Sequence, residues 1–193
     1  TPEHWHALAT VWACQAGKDV YVEKCISHSI FEGQKMIQAA MKYERVVQCG
    51  TLNTSADYAL TARDYIRSGE LGDIVTVHAM ELTDGPVPFT EKEDEPAPDT
   101  IDWDMWLGQA PMTDYVMFPT GSSNKNYPAS RVHYEFRWWY EYSGGKMTDW
   151  GAHHNDIAQW ALGMDDSGPI AVRGEGTAPS REAHSFNCHP RFT

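Results

Sequence analysis

The amino-acid sequence predicts an α/β chain whose second part turns α+β. Three observations carry that expectation. Two short apolar runs, Val20–Val22 and Val46–Cys49, are each followed by a helical pattern, the layout of parallel βαβ units. From Ile74 to Leu82 apolar and polar residues alternate over a longer stretch, so the sheet type is expected to change there. A well-patterned helix from about Lys146 to Leu162 then carries the chain's most concentrated polar chemistry.

Taken in order, Trp5, Leu8, Ala9, Trp12 and Ala16 recur at helical spacing from His4 onward, and Gly17 stands where a C-cap belongs. After the first strand, Ser29 caps the next helix with Glu32 three residues on, a capping box. That helix carries Ile30, Met36, Ile37, Ala40 and Met41 and ends near Tyr43. A third helix follows Ser55, carries Tyr58, Ala59, Ala62, Tyr65 and Ile66, and stops at Gly69. Thr83 to Thr100 reads as loop, with an acidic run from Glu91 to Glu95 that suits a solvated surface. Trp103, Met105, Trp106 and Leu107 predict a short helical turn, Pro111 to Arg131 a long excursion, and Ile170 to Gly174 another strand.

Composition narrows the function. The formal net charge is −12 and no cluster of Lys and Arg appears, which excludes a nucleic-acid or anionic-membrane surface. No apolar run approaches the roughly 20 residues of a membrane span. Four cysteines, Cys14, Cys25, Cys49 and Cys188, are scattered singly, neither a disulfide framework nor a zinc ribbon, which fits a reducing compartment. A cytoplasmic location is expected, with export to the periplasm left open. Residue 1 is not Met, and residues 187–193 stop in a strand-like run, so both ends are expected to be cut from a longer protein.

On the last helix Asp149, His153, Asp156 and Trp160 fall on one stripe. An acid four residues before an imidazole reaches it, fixes its tautomer and raises its pKa, which suits a proton shuttle. An isolated Asp-x-x-x-His is more often a routine helix-face pair. A metal reading through Asp149, His153 and His133 lacks an HExxH or a ligand-spaced cysteine. No metal is therefore expected. Lys24 follows the first strand, where ligands bind in open α/β sheets, although a lysine after a strand is usually a solvated charge. Arg137-Trp138-Trp139-Tyr140-Glu141-Tyr142 supplies core aromatics or faces for a sugar ring, and His133 and Tyr134 are candidates for the same cleft.

Thr1-Pro2-Glu3-His4-Trp5-His6, Gly17 to Lys24, Glu32-Gly33, Arg45 to Thr51, Ile66 to Ile74, and Gly144-Gly145 with Asp149 to His153 and Asp156 together resemble the glucose-fructose oxidoreductase, inositol dehydrogenase and rhizopine-catabolism (Gfo/Idh/MocA) family. The resemblance runs along nearly the whole chain in the family's order. It implies the C-terminal part of a Rossmann-like parallel sheet over 1–72, then a substrate-binding and oligomerisation α/β domain over 73–193. That second domain would carry an open, mostly antiparallel sheet with helices on one face. It implies NAD or NADP as cofactor, a sugar or polyol substrate, and homo-oligomers through the second sheet.

By the same resemblance Lys24, Asp149 and His153 are catalytic, and Thr1, Pro2, His4, Glu23 and Lys24 line the nicotinamide. His133, Tyr134, Trp138 and His154 join Lys24, Asp149 and His153 on the substrate. The implied reaction passes hydride between a sugar, polyol or glycoside hydroxyl and nicotinamide. Redox-neutral glycoside cleavage with a retained cofactor, or a non-catalytic carbohydrate-binding or assembly module, stand as alternatives. Two departures are plain. Cys25 replaces the proline that follows the family's lysine, and no GxGxxG occurs, so the pyrophosphate loop is expected upstream of Thr1.

Overall fold

The computed structural model describes residues 1–80, 93–94, 96–118, 129–175 and 191–192. Its first part is a helix followed by one βαβ unit: α1 (Glu3–Gln15), β1 (Val20–Glu23), α2 (Ile30–Lys42) and β2 (Val47–Gly50). β1 and β2 run parallel, with Val20 opposite Val47 and Glu23 opposite Gly50. Ala7, Val22 and Met36 form the buried centre of this layer, and Val11, Val20 and Val47 close it. The predicted capping box is present: Ser29 Oγ accepts from the Glu32 amide at 3.3 Å, and the Glu32 carboxylate accepts from the Ser29 amide at 3.1 Å. Gly17, at φ +72°, takes the left-handed turn that ends α1.

α3 (Asp57–Arg67) packs on α5 (Gly145–Ala161). Arg67 fastens the two, donating to the carbonyls of Ala161 at 3.1 Å and Trp160, groups a helix end leaves unsatisfied. The remaining described elements are α4 (Trp103–Leu107), two 3-10 helices (Leu52–Ser55 and His133–Trp138) and two antiparallel sheets. One has β3 (Glu93–Asp94), β4 (Val116–Phe118) and β5 (Ala129–Ser130) in that order; the other pairs β6 (Gly174–Glu175) with β7 (Arg191–Phe192). The fold is thus α/β with a parallel pair first and antiparallel strands after it, as predicted.

The second core is aromatic. Leu107, Trp138, Trp139 and Tyr142 are buried together, with Trp103, Trp106, Ala110 and Phe136 against them. Trp103 and Trp106 stack at 5.1 Å, and Tyr142 meets Trp106 edge-on at 4.7 Å. α1 is tied in through Trp5, whose indole donates to the Trp106 carbonyl at 3.0 Å. Among the described residues no helix is long and apolar enough to cross a membrane.

Three expectations need correcting. Residues 74–80 form no strand: Val75 is 90% exposed, and no described strand supplies the hydrogen bonds that define one. Glu81 and Leu82, the end of that alternating run, lie outside the described residues. The strand expected over Ile170–Gly174 reduces to Gly174–Glu175, because only those residues meet a partner. The Pro111–Arg131 excursion contains β4 and β5, paired Met117 to Ser130, while 119–128 lie outside the described residues. Cys188, His184 and His189 lie outside them as well.

Candidate active site

Where β1 ends, the chain turns toward α5. Lys24 Nζ donates to Asp149 Oδ1 at 2.9 Å and to the Asp149 carbonyl at 3.1 Å. The Lys24–Cys25 peptide is cis. Two further cations hold the other carboxylate oxygen: Arg137 donates to Oδ2, and Lys146 Nζ lies 3.5 Å from it. Arg137 is itself aimed, with Nε donating to the Tyr134 carbonyl at 2.8 Å and the guanidinium 3.8 Å from the centre of the Tyr134 ring. The pair is largely withdrawn from solvent, the Lys24 side chain 18% exposed and Asp149 14%. Burial pushes the Asp149 carboxyl up, but the Lys24 hydrogen bond and the Arg137 and Lys24 charges outweigh it and hold it below the usual carboxylate range.

His153 sits one turn further along α5. Its Nδ1 is buried without a hydrogen-bond partner. Burial first, and then the Lys24 charge, lower its pKa below the ordinary 6.5. This corrects the expected carboxylate–imidazole pair. Both Asp149 oxygens are taken by cations from other segments, so the imidazole is left neutral rather than charged. Asp156, on the same stripe, accepts a hydrogen bond from the Thr51 side chain just beyond β2, and burial raises its pKa. The C-terminal ends of both parallel strands therefore face one side of α5, the place where open α/β sheets bind ligands.

A second set of contacts fixes that approach. Buried Glu3 accepts from Ser143 Oγ at 2.7 Å and Thr148 Oγ1 at 3.2 Å, tying α1 to the first turn of α5. The Cys25 thiol donates to the Thr148 carbonyl, and burial pushes its pKa up to about 12. A thiol so placed is a packing group, not a nucleophile. His6 bridges the Cys25 and Thr1 carbonyls at 2.7 and 3.2 Å. Neither Glu3 nor His6 stands out in sequence. An acid in a first helical turn is ordinary, and only the fold shows what it reaches.

The other candidates scatter. Thr1 is exposed and touches the site only through His6, while Pro2 stands at the N-cap of α1. Exposed Glu23 lies over Gly50, where an added Cβ would come within 2.7 Å of its carboxylate and the flexible Glu23 side chain would have to move aside. His4 is away from the Lys24 cluster, buried against Trp106 and Tyr142 with ring centres 5.3 and 5.2 Å away. His133 is exposed at φ +52°, and Tyr134 carries Arg137.

Two candidates are corrected. Trp138 offers no face to a sugar, being 2% exposed with its indole donating to the equally buried Glu135 at 2.6 Å. His154 points to the neighbouring face of α5, because successive helical residues are turned about 100° apart. There it lines a 640 Å³ apolar cavity with Ile66, Leu71 and Ile157.

The profile described as "Oxidoreductase family, C-terminal alpha/beta domain", of the Gfo/Idh/MocA group, matches residues 87–189, just over half of the chain. Among solved structures, the WlbA dehydrogenase from Bordetella pertussis, in complex with NADH and UDP-GlcNAcA, superposes with a TM-score of 0.56 at 16% identity, over 96% of this chain and 40% of that one. The aldose-aldose oxidoreductase from Caulobacter crescentus, complexed with glycerol, gives 0.54 at 18% identity, over 97% and 42%. An inositol dehydrogenase homologue from Azotobacter vinelandii, complexed with NADH and myo-inositol, is 31% identical over 38% of this chain and 20% of that one, with a TM-score of 0.37. The first two share the fold. The chain therefore spans about two fifths of the length of the relatives it follows end to end. Among curated proteins none matches the chain.

Proposed function

The chain belongs to the Gfo/Idh/MocA oxidoreductase family, and from that premise we propose that it supplies the proton-handling and substrate side of an NAD(P)-dependent oxidoreductase acting on a sugar or polyol hydroxyl. One observation carries the reading: Lys24, from the end of a parallel strand, is bonded at 2.9 Å to Asp149 on the helix that also presents an unpartnered His153. A protonated lysine beside a neutral imidazole is a matched donor and acceptor for a hydroxyl.

In this reading the substrate hydroxyl lies between Lys24 and His153. Lys24, held in place by its ion pair with Asp149, donates a hydrogen bond to the substrate oxygen and favours the alkoxide. His153, neutral near pH 7, takes the hydroxyl proton. Asp149 positions the lysine, and Arg137 with Lys146 positions Asp149. The unsatisfied buried nitrogen of His153 and the strand-end location fit the nicotinamide end of a dinucleotide, which when bound supplies the hydride acceptor. No glycine-rich loop for its pyrophosphate occurs in this sequence, so the 193-residue chain alone should bind NAD(H) only weakly. Micromolar affinity by calorimetry would contradict that.

We divide the chain at 1–72 and 73–193 on the same grounds, and assign homo-oligomerisation to the second-part sheet by analogy. The activity is tested on the whole protein with NAD⁺ or NADP⁺ and a panel of sugars and polyols. NADH or NADPH formation that is lost in Lys24→Ala and His153→Ala is the expected result. Redox-neutral bond cleavage, or turnover retained in both variants, would overturn it.

A further inference from the structure

A second cavity, of 440 Å³, opens between the N-terminal turns of α1 and α2 and the segments that follow α4 and precede α5. It is lined by His4, His28, Glu32, Gln109, Tyr140 and Glu141 among others, and shares no residue with the Lys24–Asp149–His153 cluster. No described lysine or arginine lines it.

What distinguishes the cavity is the direction of its hydrogen bonds. His4 Nε2 lies 3.1 Å from the Trp106 carbonyl. A carbonyl only accepts, so Nε2 carries the hydrogen. Burial, opposed by backbone hydrogen bonds, holds the His4 pKa below 6.5, so the ring is neutral and Nδ1 is a bare lone pair. That nitrogen is buried, in a residue only 2% exposed, and has no partner. Buried polar atoms without partners are uncommon, and this one calls for a donor.

The neighbours repeat the pattern. His28 Nε2 faces the Tyr140 carbonyl at 2.7 Å and, since a carbonyl only accepts, carries a hydrogen. The Gln109 amide nitrogen gives one hydrogen to the His4 carbonyl, which leaves its oxygen and a second N–H. Glu32 accepts from the His28 and Ser29 amides through one oxygen, at 2.8 and 3.1 Å, and keeps the other. Glu141 adds a second carboxylate. The cavity thus offers a guest one unserved buried acceptor, His4 Nδ1, and two carboxylates, Glu32 and Glu141.

We propose that this cavity binds a small organic cation, a protonated amine on a hydroxyl-bearing frame such as an amino sugar. An ammonium group brings three donors and the missing positive charge, and hydroxyls serve His4 Nδ1 and Gln109. An anionic guest meets two carboxylates of like charge. The proposal is independent of the redox reading, since it needs neither cofactor nor Lys24.

The test is a calorimetric titration of the 193-residue chain with D-glucosamine, D-glucose and D-glucuronate at pH 7, without nucleotide. Glucosamine is expected to bind, glucose about tenfold more weakly for want of the charged hydrogen bond, and glucuronate not at all. Glu141→Gln, at a partly exposed position outside both cores, should weaken glucosamine about tenfold and leave glucose unchanged. Amide shifts in NMR should centre on Gln109 and Glu141. Equal binding of glucosamine and glucose, no binding of either, an unaffected Glu141→Gln variant, or shifts centred on Asp149 would each overturn the proposal.

Discussion

The polar cluster at Asp149 and the cavity at His4 are built with opposite balance. At Asp149 one carboxylate gathers Lys24, Arg137 and Lys146, so donors outnumber acceptors and every carboxylate oxygen is satisfied. At His4 a buried nitrogen goes unserved beside the carboxylates of Glu32 and Glu141. A region whose charges satisfy one another holds the fold together and aims its members. A region with a surplus of one kind of group is waiting for a complement. The difference also explains His153, which stands beside the first region and takes no hydrogen bond from it, so it stays free to accept a proton.

The comparison can be broken by substitution, and the largest effect should fall on turnover. In the whole protein Lys24→Ala and His153→Ala should each lower kcat/KM by about 10²–10⁴, the range for loss of a positioned proton donor or acceptor. Glu141→Gln should leave it unchanged. Equal losses in all three would merge the two regions into one.

Next in size is stability. Asp149→Asn leaves Lys24 and Arg137 facing each other with no carboxylate between them, and should cost about 3 kcal/mol in urea unfolding, as for other broken, mostly buried pairs. Glu141→Gln should stay within about 0.5 kcal/mol. A loss at Asp149 no greater than that at Glu141 would show that the carboxylate is not a structural hub.

The acid limb sharpens the point. The pKa of Asp149 is lower folded than its ordinary 3.8, so the stability it contributes is fully present above that value. It is lost as pH falls through the folded pKa, below 3.8. Wild type should therefore lose more stability than Asp149→Asn between pH 4 and roughly pH 2. Parallel acid limbs would contradict the three-cation arrangement.

How much of this was legible in the sequence follows from what each feature depends on. The α1–β1–α2–β2 run reads off apolar spacing, a capping box and Gly17, because local periodicity and local turn chemistry decide it. Lys24 and Asp149 were legible as a pair only through family resemblance, since they lie far apart in the chain. The expected Asp149–His153 bond failed for a tertiary reason. Spacing says which groups can touch, and competition from Arg137 and Lys146 decides which do. The alternation from Ile74 to Met80 is a true strand pattern, but a pattern becomes a strand only against a partner. Trp138 was ambiguous because an aromatic run looks the same whether it packs inward or faces a sugar. The cavity at His4 had no sequence signal, since it is assembled from single residues on separate segments.

His153 is neutral under the influence of the Lys24 charge, and an NMR pH titration of its ring in the wild-type chain and in Lys24→Met is the decisive measurement. Burial comes first among the causes that lower its pKa and Lys24 second, so removing the lysine should raise it. Titration below 6.5 in wild type, moving upward in Lys24→Met, is the predicted result. Titration at or above 6.5, or a midpoint indifferent to Lys24, would contradict the proposed site.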